Sequence, residues 1–205
     1  MPVEAGAMTT TQLPDLRPDL AAAQQWVATL LRGVAPEQLA APTPCSEYDV
    51  LRLAAHLCAG TDKVAGVAAG LDPRQLPSTT EVDAARLADD FATRATRAQE
   101  AWRDDALLAR TLTAPFGEAP GALALGAFLM ETVAHGWDLA AATGQPAEVD
   151  PAVAAAAYAV GQQALGEGFR APGGPFGPVV EPRPEAGPTE RLAAFLGRDP
   201  ARWVR

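Results

Sequence analysis

The chain has 205 residues, 48% hydrophobic and 20% charged, enough to bury one sizeable core and too apolar for a disordered protein. Its net charge of -9 has the wrong sign for binding nucleic acid or an anionic membrane surface, so neither is expected as a partner. Two cysteines without a signal peptide or a membrane-spanning stretch predict a cytoplasmic protein with free thiols. The basic residues are almost all arginine, and Ala, Pro and Gly are abundant, which indicates a GC-rich bacterial genome.

Helices separated by Pro-rich connections are predicted in the first part of the chain. Residues 1–14 show no periodicity and are predicted to form a flexible leader. Over 18–33 apolar residues recur on one helical face, with proline at the start and glycine at the end. Ser46 stands three residues before Asp49, a spacing typical of a capping box, and predicts a second helix over 47–69.

The middle of the chain predicts two further helices joined by a short extended segment. Ser78 precedes Glu81 by three residues, a second capping-box spacing, and the periodic run after it predicts a third helix that ends near residue 105. Weak alternation over 106–119 favours an extended segment. A long apolar run over 120–143 predicts the fourth helix.

The last part of the chain predicts shorter elements. Asp150 followed by proline indicates the start of a fifth helix, which should reach about residue 168. Dense Gly and Pro over 168–188 predict an irregular loop, and a short sixth helix should end at Gly197. The fold class is therefore all-α, with residues 15–205 forming a single helical domain.

Both histidines of the chain interrupt apolar helical runs, where a polar side chain needs a reason. Glu131 and His135 are four residues apart, so they project from one face of the fourth helix. Helices in a bundle pack about 8–10 Å apart, so a histidine on a neighbouring antiparallel helix can complete a set of three ligands. The remaining histidine, His56, lies in the second helix.

Two imidazoles and a carboxylate suit a divalent metal ion. Zinc is the expected ion, and nickel or ferrous iron would also fit this donor set. Three protein ligands leave a position for water or substrate, as in catalytic zinc sites. The alternative is that the spacing arose by chance and that both histidines are hydrogen-bonded core residues.

Neighbouring residues have two interpretations each. Asp138, three residues after His135, is either an acceptor for the second nitrogen of that imidazole or a solvated aspartate. Trp137 is better explained as a core residue than as a pocket wall. Cys45 and Cys58 lack the spacing of a redox or metal motif, and packing is the better explanation for Cys58.

Four motifs in order give the sequence a family resemblance: TPCSEYDV, AAHLCAG, ETVAHGWDLAAATGQP and FLGRDP. They resemble the DinB-like superfamily, and among its groups the one that includes the metal-binding N-terminal domain of mycothiol-dependent maleylpyruvate isomerase. The resemblance extends from about Leu20 to the C-terminus.

The resemblance implies a DinB-like four-helix bundle of up-down-down-up type, here with additional short C-terminal helices. It also implies that the metal ligands are His56, Glu131 and His135. Two features depart from the family pattern. Tyr48 stands where relatives often have tryptophan, and the chain lacks the additional C-terminal domain of the isomerase, so maleylpyruvate isomerisation itself is not expected.

The first functional hypothesis is a transferase or isomerase that uses a metal ion and a low-molecular-weight thiol such as mycothiol. Its partners would be the thiol and an electrophilic small molecule, and the protein would be a monomer or a homodimer. No residue is assigned as acid or base. Two alternatives remain: a metal-dependent hydrolase, and a non-catalytic protein in which the metal only joins two helices.

Overall fold

The computed structural model describes residues 14–165, 167–170 and 176–203. Within these residues the chain forms α-helices, a two-stranded antiparallel sheet and three short 3₁₀ turns. The helices are α1 (Arg17–Arg32), α2 (Val50–Ala68), α3 (Leu87–Ala101), α4 (Ala106–Ala109), α5 (Gly121–Thr143), α6 (Pro151–Ala164), α7 (Pro188–Phe195) and α8 (Pro200–Trp203). The strands are β1 (Thr111–Ala114) and β2 (Gly117–Pro120).

Four long helices form the bundle, in which α1 and α2 each pack against both α3 and α5. α1 runs parallel to α5, because Trp26 lies over Gly136 and the Gln145 amide, just after α5, donates to the Leu30 carbonyl at 3.0 Å. α7 packs on α5 and α6 beside this bundle.

The remaining helix pairs fix the topology. α2 runs parallel to α3, because Asp62 pairs with Arg94 and the Val64 carbonyl accepts from the Trp102 indole at 2.8 Å. α1 is antiparallel to α3, since Arg17 at the start of α1 donates to the Trp102 carbonyl at 3.0 Å. The predicted all-α, DinB-like bundle of up-down-down-up type is therefore confirmed, with short C-terminal helices in addition.

Two predicted helices begin later than the sequence indicated. α2 begins at Val50 because Asp49, not Ser46, is its N-cap and accepts from the Arg52 amide at 2.8 Å. α3 begins only at Leu87, so the capping box predicted at Ser78 was wrong. The chain between α2 and α3 instead passes beside α2, where the Thr80 amide donates to the Ala55 carbonyl at 3.3 Å and the Ser78 carbonyl contacts the His56 side chain.

Other boundaries are closer to prediction. The extended segment predicted over 106–119 contains α4 followed by the β1–β2 hairpin, in which Leu112 pairs with Ala119. α5 matches its prediction and ends at Gly144, whose φ of 69° is left-handed. α6 ends at Ala164, a few residues earlier than predicted.

The C-terminal predictions fall partly on described residues. Residues 176–187 contain no helix or strand, as predicted, whereas 171–175 and the leader up to residue 13 lie outside the described residues. α7 is followed by Gly197, as predicted, and the short α8 is an addition. Among the described residues, no helix combines the length and the apolar character that a bilayer span requires.

Candidate metal centre

The structure brings together the three residues that the sequence singled out. His56 lies on α2, and Glu131 and His135 lie one turn apart on the facing surface of α5. Glu131 Oε2 is 3.9 Å from the Nε2 atoms of both histidines. One ligand atom from each residue lies within 4.8 Å of the other two.

Hydrogen bonds on the far side of each ring fix the two histidine tautomers. His56 Nδ1 is 2.6 Å from the carbonyl oxygen of Ser78, which can only accept. His135 Nδ1 is 2.9 Å from Asp138 Oδ2. In the neutral rings both Nδ1 atoms therefore carry the proton, which leaves both Nε2 lone pairs free and directed toward Glu131.

This arrangement fits a cation. Two Nε2 lone pairs and a carboxylate oxygen are all acceptors, and the 3.9 Å separations are too long for hydrogen bonds among them. Acceptors that face one another in a partly buried site repel unless a positive charge lies between them. The donor set is one that borderline divalent metals prefer.

Glu131 is held in its ionised form. Burial raises the pKa of Glu131, but the imidazoles of His56 and His135 on either side of the carboxylate lower it by more, and the resulting pKa is about 2. The Glu131 side chain retains 48% of its solvent exposure, against 18% for His56. The carboxylate is therefore available as a ligand at neutral pH, on the open side of the site.

Asp138 is the buried partner of His135. Its side chain is fully buried, and it accepts from Arg198 Nε at 3.2 Å and from Arg198 Nη2 at 2.9 Å. Burial raises the pKa of Asp138, but the Arg198 guanidinium and the His135 hydrogen bond lower it more, so the pKa lies below its ordinary value. Of the two interpretations of Asp138, the structure supports the hydrogen-bond acceptor.

Aromatic rings line the site. The Tyr48 ring stacks on His56 with centroids 4.9 Å apart, and the His56 and His135 rings meet edge to face at 4.8 Å. Tyr48, noted above as a departure from the family pattern, therefore packs on the candidate ligand His56. Trp137 is fully buried, which confirms its interpretation as a core residue.

The two cysteines differ in their surroundings. Cys45 lies beside the site, with its sulfur within 4.8 Å of ligand atoms of His135 and Asp138. Burial, and then the Asp138 carboxylate, raise the pKa of the Cys45 thiol. Cys58 is fully buried, and burial raises its pKa to about 11, which confirms that it is a packing residue. Both cysteines are free thiols.

Sequence reasoning placed none of the loop residues that surround the candidate ligands beside them. The Ser78 carbonyl, the Tyr48 ring, Cys45 and Arg198 all come from loops. A backbone carbonyl leaves no signal in a sequence. Cys45 and Arg198 lie inside the motifs TPCSEYDV and FLGRDP, which were the available signal for both.

Comparisons with known proteins show a family and two relatives to which the chain is similar. The model of the mycothiol maleylpyruvate isomerase N-terminal domain family matches residues 20–140, which is more than half of the chain and includes all three candidate ligands. Two uncharacterized proteins of Mycobacterium tuberculosis, from strains CDC 1551 / Oshkosh and H37Rv, are each 37% identical over 177 residues. These alignments cover 86% of this chain and 93% of each relative. No solved structure matches the chain significantly.

The match confirms the family resemblance over residues 20–140, and the structure shows the helical fold that the resemblance implied. The chain belongs to the family of the mycothiol maleylpyruvate isomerase N-terminal domain.

Proposed function

We propose that the protein binds one divalent metal ion, zinc being the expected one, through His56, Glu131 and His135. We propose further that it is a transferase or isomerase that uses this metal with a low-molecular-weight thiol, for which mycothiol is the expected compound. The observation that supports the proposal is the convergence of three acceptor atoms with no donor among them. The family name supplies the link to mycothiol.

The side chains of the site have separate tasks in this proposal. His56 and His135 would bind the metal through Nε2, because their Nδ1 atoms are engaged by Ser78 and Asp138. Glu131 would supply the third ligand and offset part of the metal's charge. The bound metal would stabilise the thiolate of a thiol whose ordinary pKa is about 8.5, giving a nucleophile at neutral pH.

The surroundings favour a site that exchanges small molecules. Glu131 is half exposed, so a substrate can approach from the solvent side. The Tyr48 ring, stacked on His56, forms a flat wall beside that approach. Cys45, which is partly buried, lies next to His135 and Asp138. No side chain is assigned as the acid or base of the reaction.

Metal content tests the first half of the proposal. Elemental analysis should find near-stoichiometric metal in the wild type and in the control Glu37→Gln, an exposed glutamate far from the site in sequence. His56→Ala and Glu131→Gln should lose it. Zinc at 100 times its Kd should also raise the free energy of unfolding of the wild type by about 2.7 kcal/mol. Wild-type protein that stays metal-free after reconstitution would contradict the site.

Thiol binding tests the second half. Cobalt-substituted protein titrated with a small thiol should develop a thiolate-to-metal charge-transfer band, and Glu131→Gln should not. The metal-loaded protein should then consume the thiol when an electrophile is added. If the loaded wild type neither binds nor consumes thiol, the proposal of a thiol-dependent enzyme fails while the metal site stands.

A further inference from the structure

Arg198 reaches the candidate metal centre from a part of the chain beyond the matched family region, which ends at residue 140. It lies between α7 and α8, 60 residues after Asp138, and its side chain is 12% exposed. Its guanidinium donates to both oxygens of Asp138, and the same carboxylate accepts from His135 Nδ1. Arg198, Asp138 and His135 therefore form a continuous chain of hydrogen bonds to the site.

The backbone before Arg198 is shaped to place this side chain. Gly197 has a φ of 92°, a left-handed conformation that strains other residues. A Cβ at Gly197 would also lie 2.7 Å from the Cα of Gly177, so a side chain does not fit there. The Arg198 amide then donates to the Ala193 carbonyl at 3.0 Å, which ties the turn to α7.

We infer that Arg198 is a positioning residue for the site: by fixing the Asp138 carboxylate it keeps the His135 proton on Nδ1 and leaves Nε2 free for a cation. The inference rests on the proposed function only in giving His135 Nε2 a metal to bind. The proton position is a property of the metal-free protein.

The reason is geometric. Asp138 is fully buried and has three donors, two of them from Arg198. Without Arg198 the carboxylate loses two of its three hydrogen bonds, so its orientation toward His135 Nδ1 is no longer fixed. The proton can then move to Nε2, from which it faces the Glu131 carboxylate 3.9 Å away. A donor at that position fills the place that a cation would take.

The chain contains a matched control. Arg183, on the loop before α7, also donates through Nε and Nη2 to a buried carboxylate, that of Glu190. Glu190 is 3% exposed, but the pair supports α7 and not the site. Arg183→Met and Arg198→Met thus each remove a two-pronged arginine–carboxylate pair from the same C-terminal segment, although Arg183 is the more exposed of the two arginines.

The experiment uses two measurements on the full chain. Long-range ¹⁵N–¹H NMR of the metal-free protein at pH 8 reports which nitrogen of each histidine carries the proton, with His56 as internal reference. Competition with a chelator gives the affinity for zinc. Arg198→Met should move the His135 proton from Nδ1 toward Nε2 and weaken zinc binding 10–100-fold. Arg198→Lys keeps the charge without the two-pronged contact and should weaken it less.

The outcomes separate this inference from the proposed function. The inference is overturned if the His135 proton stays on Nδ1 in Arg198→Met. It is also overturned if Arg183→Met weakens zinc affinity as much as Arg198→Met does. If the wild type binds no zinc, the proposed function fails, and the NMR result alone decides the inference. If Arg198→Met does not fold, Arg198→Lys takes its place in both measurements, and a His135 proton that stays on Nδ1 with unchanged zinc affinity overturns the inference.

Discussion

The two ends of the bundle share helices α2 and α5 but are held together by different means. The apolar end is the cluster around Val64, Trp102, Leu107, Leu125 and Phe128. The polar end consists of His56, Glu131, His135, Asp138 and Arg198. Side chains of the apolar end are buried against one another, whereas at the polar end His56 and Asp138 are held by hydrogen bonds to the loop residues Ser78 and Arg198.

Along the same two helices, the apolar end mainly contributes stability and the polar end carries the candidate metal site. Burial of apolar area is non-directional and sums over many contacts, so the apolar end tolerates small shifts at a gradual cost. A candidate ligand atom has to be free and correctly directed, and the hydrogen bonds of Ser78 with His56 and of Arg198 with Asp138 come from the loops after α2 and α7. We therefore expect mutations at the two ends to affect different measurements.

Trp102→Ala should give the largest loss of stability. The indole is 2% exposed and donates to the Val64 carbonyl at 2.8 Å, so its removal leaves a cavity and an unpaired carbonyl. Loss of a buried Trp costs about 3–5 kcal/mol, to be measured by urea unfolding. Trp102→Phe refills most of the cavity, so it should lower the free energy of unfolding less than Trp102→Ala does. A Trp102→Ala protein that folds but binds zinc much more weakly would contradict the separation of the two ends.

Asp138→Asn should have the next largest effect on stability, because it leaves the Arg198 charge buried without its partner. Breaking a buried ion pair on one side costs about 3 kcal/mol at neutral pH. The loss should be measured without metal, so that zinc binding does not contribute. Asp89→Asn, an exposed aspartate on α3, is the control and should change little.

The pH dependence of the Asp138→Asn effect follows from the lowered pKa of Asp138. Burial raises that pKa, but Arg198 and His135 lower it below the ordinary value of 3.8. The stabilisation from the ionised carboxylate is therefore complete above pH 3.8 and is lost as the pH falls through the folded-state value. Urea unfolding should be measured from pH 7 downward. The difference in free energy of unfolding between wild type and Asp138→Asn should become smaller only at acidic pH. If this difference already becomes smaller near neutral pH, the ionised Asp138 carboxylate is not its cause.

The sequence predicted the helices and the spacing of the candidate ligands within one helix, but not the contacts that loops make with the site. The helical period placed α5 closely, and the four-residue spacing of Glu131 and His135 put both on one face. The supports of the site could not be predicted in this way. His56 and Ser78 are 22 residues apart, and Asp138 and Arg198 are 60 apart. Ser78 and Arg198 lie in loops, where no helical period fixes their position.

Capping-box spacings gave the largest boundary errors. Ser78 and Glu81 have the correct spacing, yet the chain there crosses α2, where Ser78 offers its carbonyl to His56 and Thr80 donates to the Ala55 carbonyl. These tertiary contacts outweigh a local cap that contributes about 1 kcal/mol. The spacing alone does not show which of the two prevails.

The smallest predicted effect concerns the start of α2, where a cap of local origin lies at the polar end. Asp49 accepts from the Arg52 amide and Ser46 does not cap the helix, so Asp49→Ala should cost about 1 kcal/mol in urea unfolding. Ser46→Ala, at an exposed position, should cost less than about 0.5 kcal/mol. His56 lies beyond the first turn of α2 and is fixed by Ser78, so zinc affinity should fall far less in Asp49→Ala than in Arg198→Met. If Asp49→Ala instead weakens zinc binding as much as Arg198→Met, the position of His56 depends on the helix cap and not on the loop, and the polar end is held by local structure after all.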